Sequence, residues 1–406
     1  MLTTVAYEPK HKRIYMDYAA ATPVSTCVRE AMAHASKCFG NPSSIHEEGR
    51  AAQALVSNAR SRVAQVLGAT PEEIIFTASG SEADALALLG AARANRAHGS
   101  HVIVSAIEHK AILKSAKLLE EEGFRVTYLR PDSAGLISGD ALKAALCPDT
   151  IVVSIMYANN EIGTVEPIRE LCAVVREARR GSRVPLFHTD ASQAPGLLPI
   201  NAAELGVDLL SLNGAKAYGP KGVGALYCRR GTALRALVGG EQERGLRGGT
   251  ENVELIVGLA KALEEAEMLR TSEVKRLAEL QELCITEITR RIPGVVLNGH
   301  RSLRLPNNVH VSFPYIEGES ILLLMDAAGV ACATGSACNS FDLAPSHVLL
   351  AIGNEAGLSH GSVRLSFGRT TTKKEVLYTV ESLVHIVTLL RSVSALTVPL
   401  AANKYA

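Results

Sequence analysis

The chain lacks a charge bias of either sign. Its 406 residues include 42 Lys and Arg against 41 Asp and Glu, which gives a formal net charge of +1. This balance offers no electrostatic basis for nucleic acid or an anionic membrane as the main partner. The N-terminus lacks a basic segment leading into an apolar run, and no uninterrupted apolar stretch is long enough to span a bilayer. We therefore expect a cytoplasmic protein with no membrane partner and no direct nucleic-acid partner.

The eight cysteines include no Cys-x-x-Cys pair. A chain of this size needs no disulfide framework, so most of them are expected to be reduced core residues, and no metal site is predicted. The sequence also lacks internal repeats and low-complexity segments. What remains is 47% hydrophobic and 20% charged, a composition typical of a compact globular enzyme with two or three domains.

Short β-branched runs alternate with helical patterns from about residue 70, which predicts an α/β domain whose mostly parallel sheet is covered on both faces. The runs are residues 73–77, 101–105, 150–156, 185–189, 208–212 and 223–228, and the helical patterns are 82–95 and 110–122. A Leu/Ala/Glu-rich stretch from Asn252 to Arg291 then predicts one or two connecting helices.

A smaller α+β domain is predicted beyond that stretch, from strand patterns at 308–313 and 363–367 and a helical pattern at 374–390. We assign residues 15–260 to the large domain. The small domain then comprises residues 1–14 and 261–406 and includes a cysteine-bearing loop at about 333–345.

Lys216 stands just past the end of one apolar run, where ligands bind in open α/β sheets. A lysine amine at such a position can form a Schiff base, because desolvation and neighbouring charge favour its neutral, nucleophilic form. When Lys216 is considered without its neighbours, a solvated lysine in a loop is the more common explanation. The residues that follow the other runs favour the chemical interpretation.

Two of these other runs end in candidate cofactor contacts. The small-residue turn at 77–82 contains Gly80 and Ser81, which could hold a phosphate through free amides and the hydroxyl, although such a turn taken alone is more often an ordinary helix cap. His109 follows the next run and could stack on a flat ring and shuttle a proton, whereas a lone histidine is more often structural.

Two further runs end in polar residues. A cluster at 159–163 contains Asn160, and the next run leads into Asp190 and Gln193. A carboxylate at Asp190 could keep a pyridine nitrogen protonated, which makes the ring an electron sink, and Gln193 could bond a ring hydroxyl. A helix cap is the alternative role for Asp190. Together with Lys216, these residues specify pyridoxal phosphate better than any one of them does.

Ordered motifs across nearly the whole length carry a family resemblance. They are the segments 15–23 (YMDYAAATP), 40–46 (GNPSSIH), 159–163 (NNEIG), 218–222 (YGPKG) and 243–252 (ERGLRGGTEN). With them the chain resembles the NifS/IscS-like cysteine desulfurases of the class V aminotransferase superfamily. The resemblance implies the fold type I of pyridoxal-phosphate enzymes, with a seven-stranded, mostly parallel sheet in the large domain.

The resemblance also assigns cofactor roles. It implies a Schiff base at Lys216, with the other contacts as follows: Asp190 on the pyridinium, Gln193 on the phenolic oxygen, His109 stacked on the ring as a catalytic residue, Gly80 and Ser81 on the phosphate, Asn160 beside the ring, and Thr250 on the phosphate of a neighbouring subunit. The last role implies an obligate homodimer.

A reactive cysteine would separate a desulfurase from its aminotransferase relatives. Cys338, in the setting Gly-Ser-Ala-Cys, matches the persulfide-forming cysteine of the family, although by composition alone it is equally well a surface residue. Cys332 lies in an apolar context typical of a buried residue. Arg364 matches the arginine for the substrate carboxylate, and Asn160 and Asn41 complete the predicted substrate contacts.

The motif around the lysine departs from the family. Many members carry a histidine directly before the lysine and a serine two residues before that histidine, both on the cofactor phosphate. This chain has Ala215 and Asn213 instead. Asn213 can still donate a hydrogen bond, whereas Ala215 cannot, so one phosphate contact is lost. Lys221, between a proline and a glycine, is the rival for the Schiff base, and a structural or phosphate-facing role suits it better.

The predicted reaction converts L-cysteine to L-alanine and leaves the sulfur as a persulfide on Cys338. An acceptor protein, such as an iron–sulfur scaffold or a thiolation protein, would then receive it for cluster assembly or tRNA thiolation. The alternatives are a selenocysteine lyase, another class V aminotransferase, or a scaffold subunit with weakened catalysis. The long segment after Cys338 disfavours an aminotransferase, and the joint presence of Lys216, Asp190, His109 and Arg364 disfavours a scaffold.

Overall fold

The computed structural model describes residues 13–179, 181–334 and 345–393. The strands are β1 (Ile14–Tyr15), β2 (Ile74–Thr77), β3 (His101–Ser105), β4 (Arg125–Leu129), β5 (Thr150–Ser154), β6 (Leu186–Asp190), β7 (Leu209–Asn213), β8 (Gly224–Cys228), β9 (Val296–Leu297), β10 (Asn308–Ser312), β11 (Val330–Ala331) and β12 (Ser362–Ser366). The α-helices are α1 (Thr26–Ala35), α2 (Glu47–Leu67), α3 (Gly80–Ala85), α4 (Ala91–Ala94), α5 (Lys110–Glu121), α6 (Gly139–Ala145), α7 (Ile168–Ala178), α8 (Ala202–Leu205), α9 (Gln242–Gly245), α10 (Val253–Arg291), α11 (Gly318–Ala327), α12 (His347–Ala351), α13 (Ala356–His360) and α14 (Lys373–Val393).

Seven strands form the central sheet, in the order β2-β8-β7-β6-β5-β3-β4. Strand β8 runs antiparallel to both of its neighbours, and the other pairs are parallel. In β2, Ile74 and Phe76 enter the apolar core on one face of the sheet, while Ile75 enters the core on the other face. Burial on both faces explains the continuous apolar runs in the sequence, and the predicted α/β fold is confirmed.

A second core surrounds a three-stranded antiparallel sheet in the order β12-β10-β9. The short strand β1 pairs with β11, and Met16 is fully buried in this second core. The segment just after residue 14 therefore packs with elements from the C-terminal third of the chain.

Helix α10 runs through both halves of the molecule. Near its start, Leu259 and Leu263 are buried in the core of the large sheet, and further along Cys284 and Ile288 are buried in the second core. A helix of 39 residues extends about 58 Å at the usual rise of 1.5 Å per residue, long enough to join two cores. The proposed boundary at residue 260 falls inside it, and we keep that division as a proposal.

Helix α14 is, among the described helices, the one with the length and hydropathy of a membrane span. The core helices of water-soluble domains meet the same two criteria, and α14 begins with two lysines and a glutamate. One apolar face, including Val380 and Leu383, packs into the second core, which accounts for part of its hydropathy.

A buried carboxyl near the large sheet predicts a pH-dependent stability. Burial raises the pKa of Glu166 from 4.5 to about 8, while its Oε2 accepts a hydrogen bond of 3.0 Å from the Ile137 amide. Between these two pH values the folded chain holds a proton that the unfolded chain has lost, so this group makes the free energy of unfolding fall as pH rises.

Replacing Glu166 with glutamine is therefore expected to stabilise the protein relative to the parent as pH rises through that window, because glutamine does not titrate. The gain should approach roughly 5 kcal/mol at the alkaline end, at about 1.4 kcal/mol for each pH unit of the window. Thermal denaturation of both proteins at several pH values measures it. A difference in melting temperature that does not change with pH would contradict the assignment.

Candidate active site

A cavity of about 190 Å³ opens beyond the carboxyl ends of the parallel strands. Nine of the residues predicted from the sequence line it: Gly80, Ser81, His109, Asn160, Asp190, Gln193, Asn213, Lys216 and Arg364. Each comes from the end of a strand, from the loop after it, or from the small-domain strand β12. The position agrees with the general rule that ligands of α/β sheets bind at this edge.

Lys216 ends a short 3₁₀ turn that follows β7. The side-chain oxygen of Asn213 accepts a hydrogen bond of 3.1 Å from the Ala215 amide and so fixes the start of the turn. The Nζ of Lys216 donates to the carbonyl of Ala19 at 2.9 Å and also to the carbonyl of Ala20. These carbonyls, on the loop after β1, hold the amine in the cavity.

Tyr218, two residues later, adopts a left-handed backbone with φ of 60°, which is uncommon for a bulky residue. Its amide donates to Thr22 Oγ1 at 2.7 Å, and its hydroxyl accepts from the Arg369 amide at 2.7 Å. Contacts with two distant segments hold this strained turn, and with it the direction of Lys216.

Asp190 ends β6 at the floor of the cavity and is almost fully buried. One oxygen accepts a 2.8 Å hydrogen bond from the Ser192 amide. Asp84, on α3, also lines the cavity; burial, with the charge of Asp190 as a second cause, raises its pKa well above the usual value. The raised pKa favours the protonated form of Asp84 in this buried site.

His109 caps the N-terminus of α5, where its Nδ1 accepts a hydrogen bond of 3.1 Å from the Ala111 amide. Burial lowers the pKa of the imidazole; Asp190 opposes this effect and the charge of Lys216 adds to it. The ring is therefore neutral at physiological pH. With Nδ1 accepting, its proton is on Nε2.

The N-terminal end of α3 forms a cradle for an anion. A Cβ atom at Gly80 would lie 2.9 Å from the Asn213 side chain and 3.0 Å from Ser192 Oγ, so only glycine leaves this space open. Ser81, Ser192 and Asn213 offer polar groups around it. This cradle, the buried acid, the imidazole and the lysine amine fit a phosphate-bearing pyridine aldehyde. Ser192 contributes a hydroxyl to this cradle, a polar group that Ala215 does not have.

Arg364 lies in β12 and is 4% exposed. Its guanidinium donates to the Asn160 carbonyl and to Asp17 Oδ1, both at 2.8 Å. Its Nε is buried and has no hydrogen-bond partner within the described residues. A buried, charged donor at the cavity wall is suited to an anionic substrate group.

Three predicted residues are not brought together here. Asn41 and Thr250 are exposed and lie outside this cavity of the described chain, and Cys338 is outside the described residues. The sequence interpretation missed Asp17, Asp84 and Ser192. Asp84 had a usable signal: it lies four residues after Gly80, on the same face of the helix.

The sequence matches the family model for class V aminotransferases over residues 14–378. This match covers most of the chain, so the protein belongs to that family, and it is a pyridoxal-phosphate-dependent enzyme. The predicted cofactor is confirmed.

Individual relatives indicate which type of enzyme the chain is within this family. The cysteine desulfurase IscS of Dictyoglomus turgidum is 49% identical over 385 residues, which covers 94% of this chain and 96% of the relative. A solved NifS-like protein superposes with a TM-score of 0.87 at 35% identity, covering 93% of this chain and all of that one. The structure of SspA in complex with cysteine gives 0.75 at 37% identity, covering 88% and 99%. Within its family the chain is thus a cysteine desulfurase, as the sequence predicted.

Proposed function

We propose that the enzyme converts L-cysteine to L-alanine and carries the sulfur as a persulfide on Cys338. The observation that carries this proposal is the convergence of Lys216, Asp190, His109 and Arg364 on one cavity. The relative named as a complex with cysteine supports the choice of substrate. We further propose that the sulfur passes to an acceptor protein of iron–sulfur cluster assembly or tRNA thiolation, and that the enzyme is cytoplasmic.

Pyridoxal phosphate, when bound, would withdraw electrons from the α-carbon of the substrate and make its proton labile. The residues that would hold it are Gly80, Ser81, Ser192 and Asn213 at the phosphate, Asp190 at the ring nitrogen, Gln193 at the ring hydroxyl, and Asn160 and His109 at the ring. Lys216 would bind it covalently. Asp190 is placed to act as the counter-charge, and burial raises the pKa of its neighbour Asp84, which favours a proton there.

Lys216 is placed to move protons at the α-carbon of the substrate. Its Nζ lies against the Ala19 and Ala20 carbonyls, which orient the amine, and the neutral amine is the group that accepts the α-proton. His109 carries its proton on Nε2, so the neutral ring can donate there and accept again when the thiol group reacts.

The described flank before the Cys338 segment contacts a cavity residue, and the flank after it contacts the sequence neighbours of two cavity residues, Asn160 and His109. Before it, the Ala333 amide and carbonyl pair with those of Arg364. After it, Ser346 Oγ donates to the Glu161 carboxylate, and the His347 ring is 3.0 Å from the Glu108 carbonyl, next to His109. Both flanks therefore lie close to the cavity, which supports a role for Cys338 in the reaction.

In this reaction the Cys338 thiolate attacks the sulfur of the substrate. An S–S bond forms to Cys338, the carbon–sulfur bond breaks, and its electron pair stays with the substrate carbon, which takes up a proton and leaves as alanine. Cys338 then carries a persulfide, and a thiol group of the acceptor can attack its outer sulfur.

Arg364 should bind the substrate carboxylate, and Arg364→Lys tests this role. Lysine cannot present the planar fork of donors or keep the Asp17 and Asn160 contacts. We expect kcat/KM for cysteine to fall about 30- to 1,000-fold, mainly through KM, since a charged contact of about 2–4 kcal/mol is lost. Steady-state alanine release measures it.

Arg304→Lys serves as the matched control. This equally buried arginine donates to the His300 and Ile162 carbonyls, away from the cavity. Its replacement should lower the melting temperature and leave KM near the parent value. An unchanged KM in the Arg364 variant would remove Arg364 from the substrate site.

We also propose a homodimer in which Thr250 reaches the phosphate bound by the other subunit. Support comes from its position: Thr250 is exposed in its own subunit and does not line the cavity of the described chain. Analytical ultracentrifugation of the cofactor-loaded protein would measure the dimer.

The direct test of the function mixes pyridoxal-phosphate-loaded protein with L-cysteine and measures both free alanine and protein-bound persulfide. Alanine in equal amount to persulfide in the first turnover supports the proposal. A bound, yellow cofactor that yields no alanine would overturn it and point to a different amino-acid substrate.

A further inference from the structure

Three potential metal ligands converge at the opposite edge of the central sheet. His101 begins β3, and Cys147 and Asp149 lie in the loop before β5. Their ligand atoms all lie within 4.8 Å of one another. The reaction described above uses none of them, because the cavity lies at the carboxyl ends of the same strands.

The distances between the ligand atoms are close to those around a small divalent cation. The Sγ of Cys147 lies 3.0 Å from His101 Nδ1 and 3.1 Å from Asp149 Oδ1. Ligand atoms in a tetrahedral zinc site are about 3.3–3.8 Å apart, given bonds of 2.0–2.3 Å. The two distances from the sulfur therefore need to lengthen by only a few tenths of an ångström, and the third pair of ligand atoms lies within 4.8 Å.

The surroundings of His101 favour a ligand role. Its Nε2 lies 2.8 Å from Thr127 Oγ1, a partner that can accept the ring proton and leave the Nδ1 lone pair directed at the cluster. Thr150 Oγ1 accepts from the Cys147 amide and lies 2.8 Å from Nδ1, so a metal ion at Nδ1 requires the Thr150 hydroxyl hydrogen to turn toward Cys147 Sγ, 3.2 Å away. His101 is buried, whereas Cys147 and Asp149 are half-exposed, which leaves room for water as a fourth ligand.

A cation already occupies this position. One nitrogen of the Arg125 guanidinium lies 3.1 Å from Cys147 Sγ and 2.9 Å from Asp149 Oδ1. The arginine side chain is 56% exposed, so it can move into solvent on its flexible stem. The Cys147 sulfur and the Asp149 carboxylate thus both contact the Arg125 guanidinium. A metal ion would take the place of that positive charge.

We propose that His101, Cys147 and Asp149 form a binding site for a divalent cation of the zinc class. Thiolate, imidazole and carboxylate together suit Zn²⁺ and its spectroscopic substitute Co²⁺ better than Mg²⁺ or Ca²⁺. On binding, the Cys147 thiol releases its proton to solvent, and Arg125 leaves the cluster. Because the ion binds the folded chain, it ties the loop before β5 to the sheet and raises the melting temperature.

The test titrates Co²⁺ into metal-stripped, cofactor-loaded protein and follows the sulfur-to-cobalt charge-transfer band. We expect saturation at one equivalent per chain and displacement by Zn²⁺. Cys147→Ser should abolish the band and weaken binding at least about 10-fold, because it removes the thiolate ligand. Asp149→Asn should weaken binding and keep the band. Arg125→Gln should tighten binding several-fold, because it removes the competing cation.

Cys38→Ser and Cys338→Ser are the controls, and both should retain the band and the affinity. A band of unchanged intensity in Cys147→Ser, or the absence of saturable binding at one equivalent, would overturn the proposal. Far-UV circular dichroism and the melting temperature in metal-free buffer establish that each variant is folded. The cobalt band does not depend on desulfurase activity. The metal site and the proposed reaction are therefore tested separately.

Discussion

Replacing Lys216 with alanine is expected to lower alanine release from L-cysteine by at least about 10³-fold. The side chain supplies both the covalent attachment of the cofactor and the base for the α-proton, and loss of a positioned base alone costs about 10²–10⁴-fold. The variant should still fold, because Lys216 is half-exposed and the turn is fixed by Asn213. The covalent attachment can be tested by borohydride reduction followed by denaturation. After both treatments, the cofactor should separate from the chain of the variant.

Lys221→Ala is the matched control for this prediction. Lys221 lies five residues later in an exposed turn and does not line the cavity of the described chain. Its replacement should leave alanine release within a few-fold of the parent. If the Lys221 variant loses the covalently bound cofactor while the Lys216 variant keeps it, the two roles are exchanged.

The Cys338→Ala variant is expected to bind cofactor and cysteine normally but to form no protein-bound persulfide. Without the thiolate there is no nucleophile for the substrate sulfur, so alanine release should fall to the background rate, at least about 10²-fold lower. Mass spectrometry of the intact chain after one turnover checks this, since the added sulfur appears on the parent protein only.

Cys332→Ala is its control. Burial raises the pKa of Cys332 to about 12, so its thiol stays protonated and is a poor nucleophile. This variant should form persulfide at the parent rate. Persulfide in the Cys338 variant at that same rate would show that another cysteine carries the sulfur.

Periodicity in the sequence predicted most of the central sheet because its strands are buried on both faces. Six of its seven strands appear as apolar runs, within about two residues of their ends. Strand β4 was missed because it is an edge strand, with Arg125 exposed and Thr127 half-buried, and its pattern resembles that of a polar loop. Strand β1, with two residues paired to β11, is too short for any periodicity.

The sequence by itself determined the fold class, the cofactor and nine residues of the cavity, because each follows a strand whose apolar pattern is local and because ordered motifs carry the family resemblance. Only the tertiary structure placed Asp84 beside Asp190 in a buried site, where burial raises the pKa of Asp84. It also placed Asp17 on Arg364 and brought His101 to Cys147, across separations of 347 and 46 residues. The spacing of residues along the sequence does not predict such contacts, because they form only when the strands lie side by side.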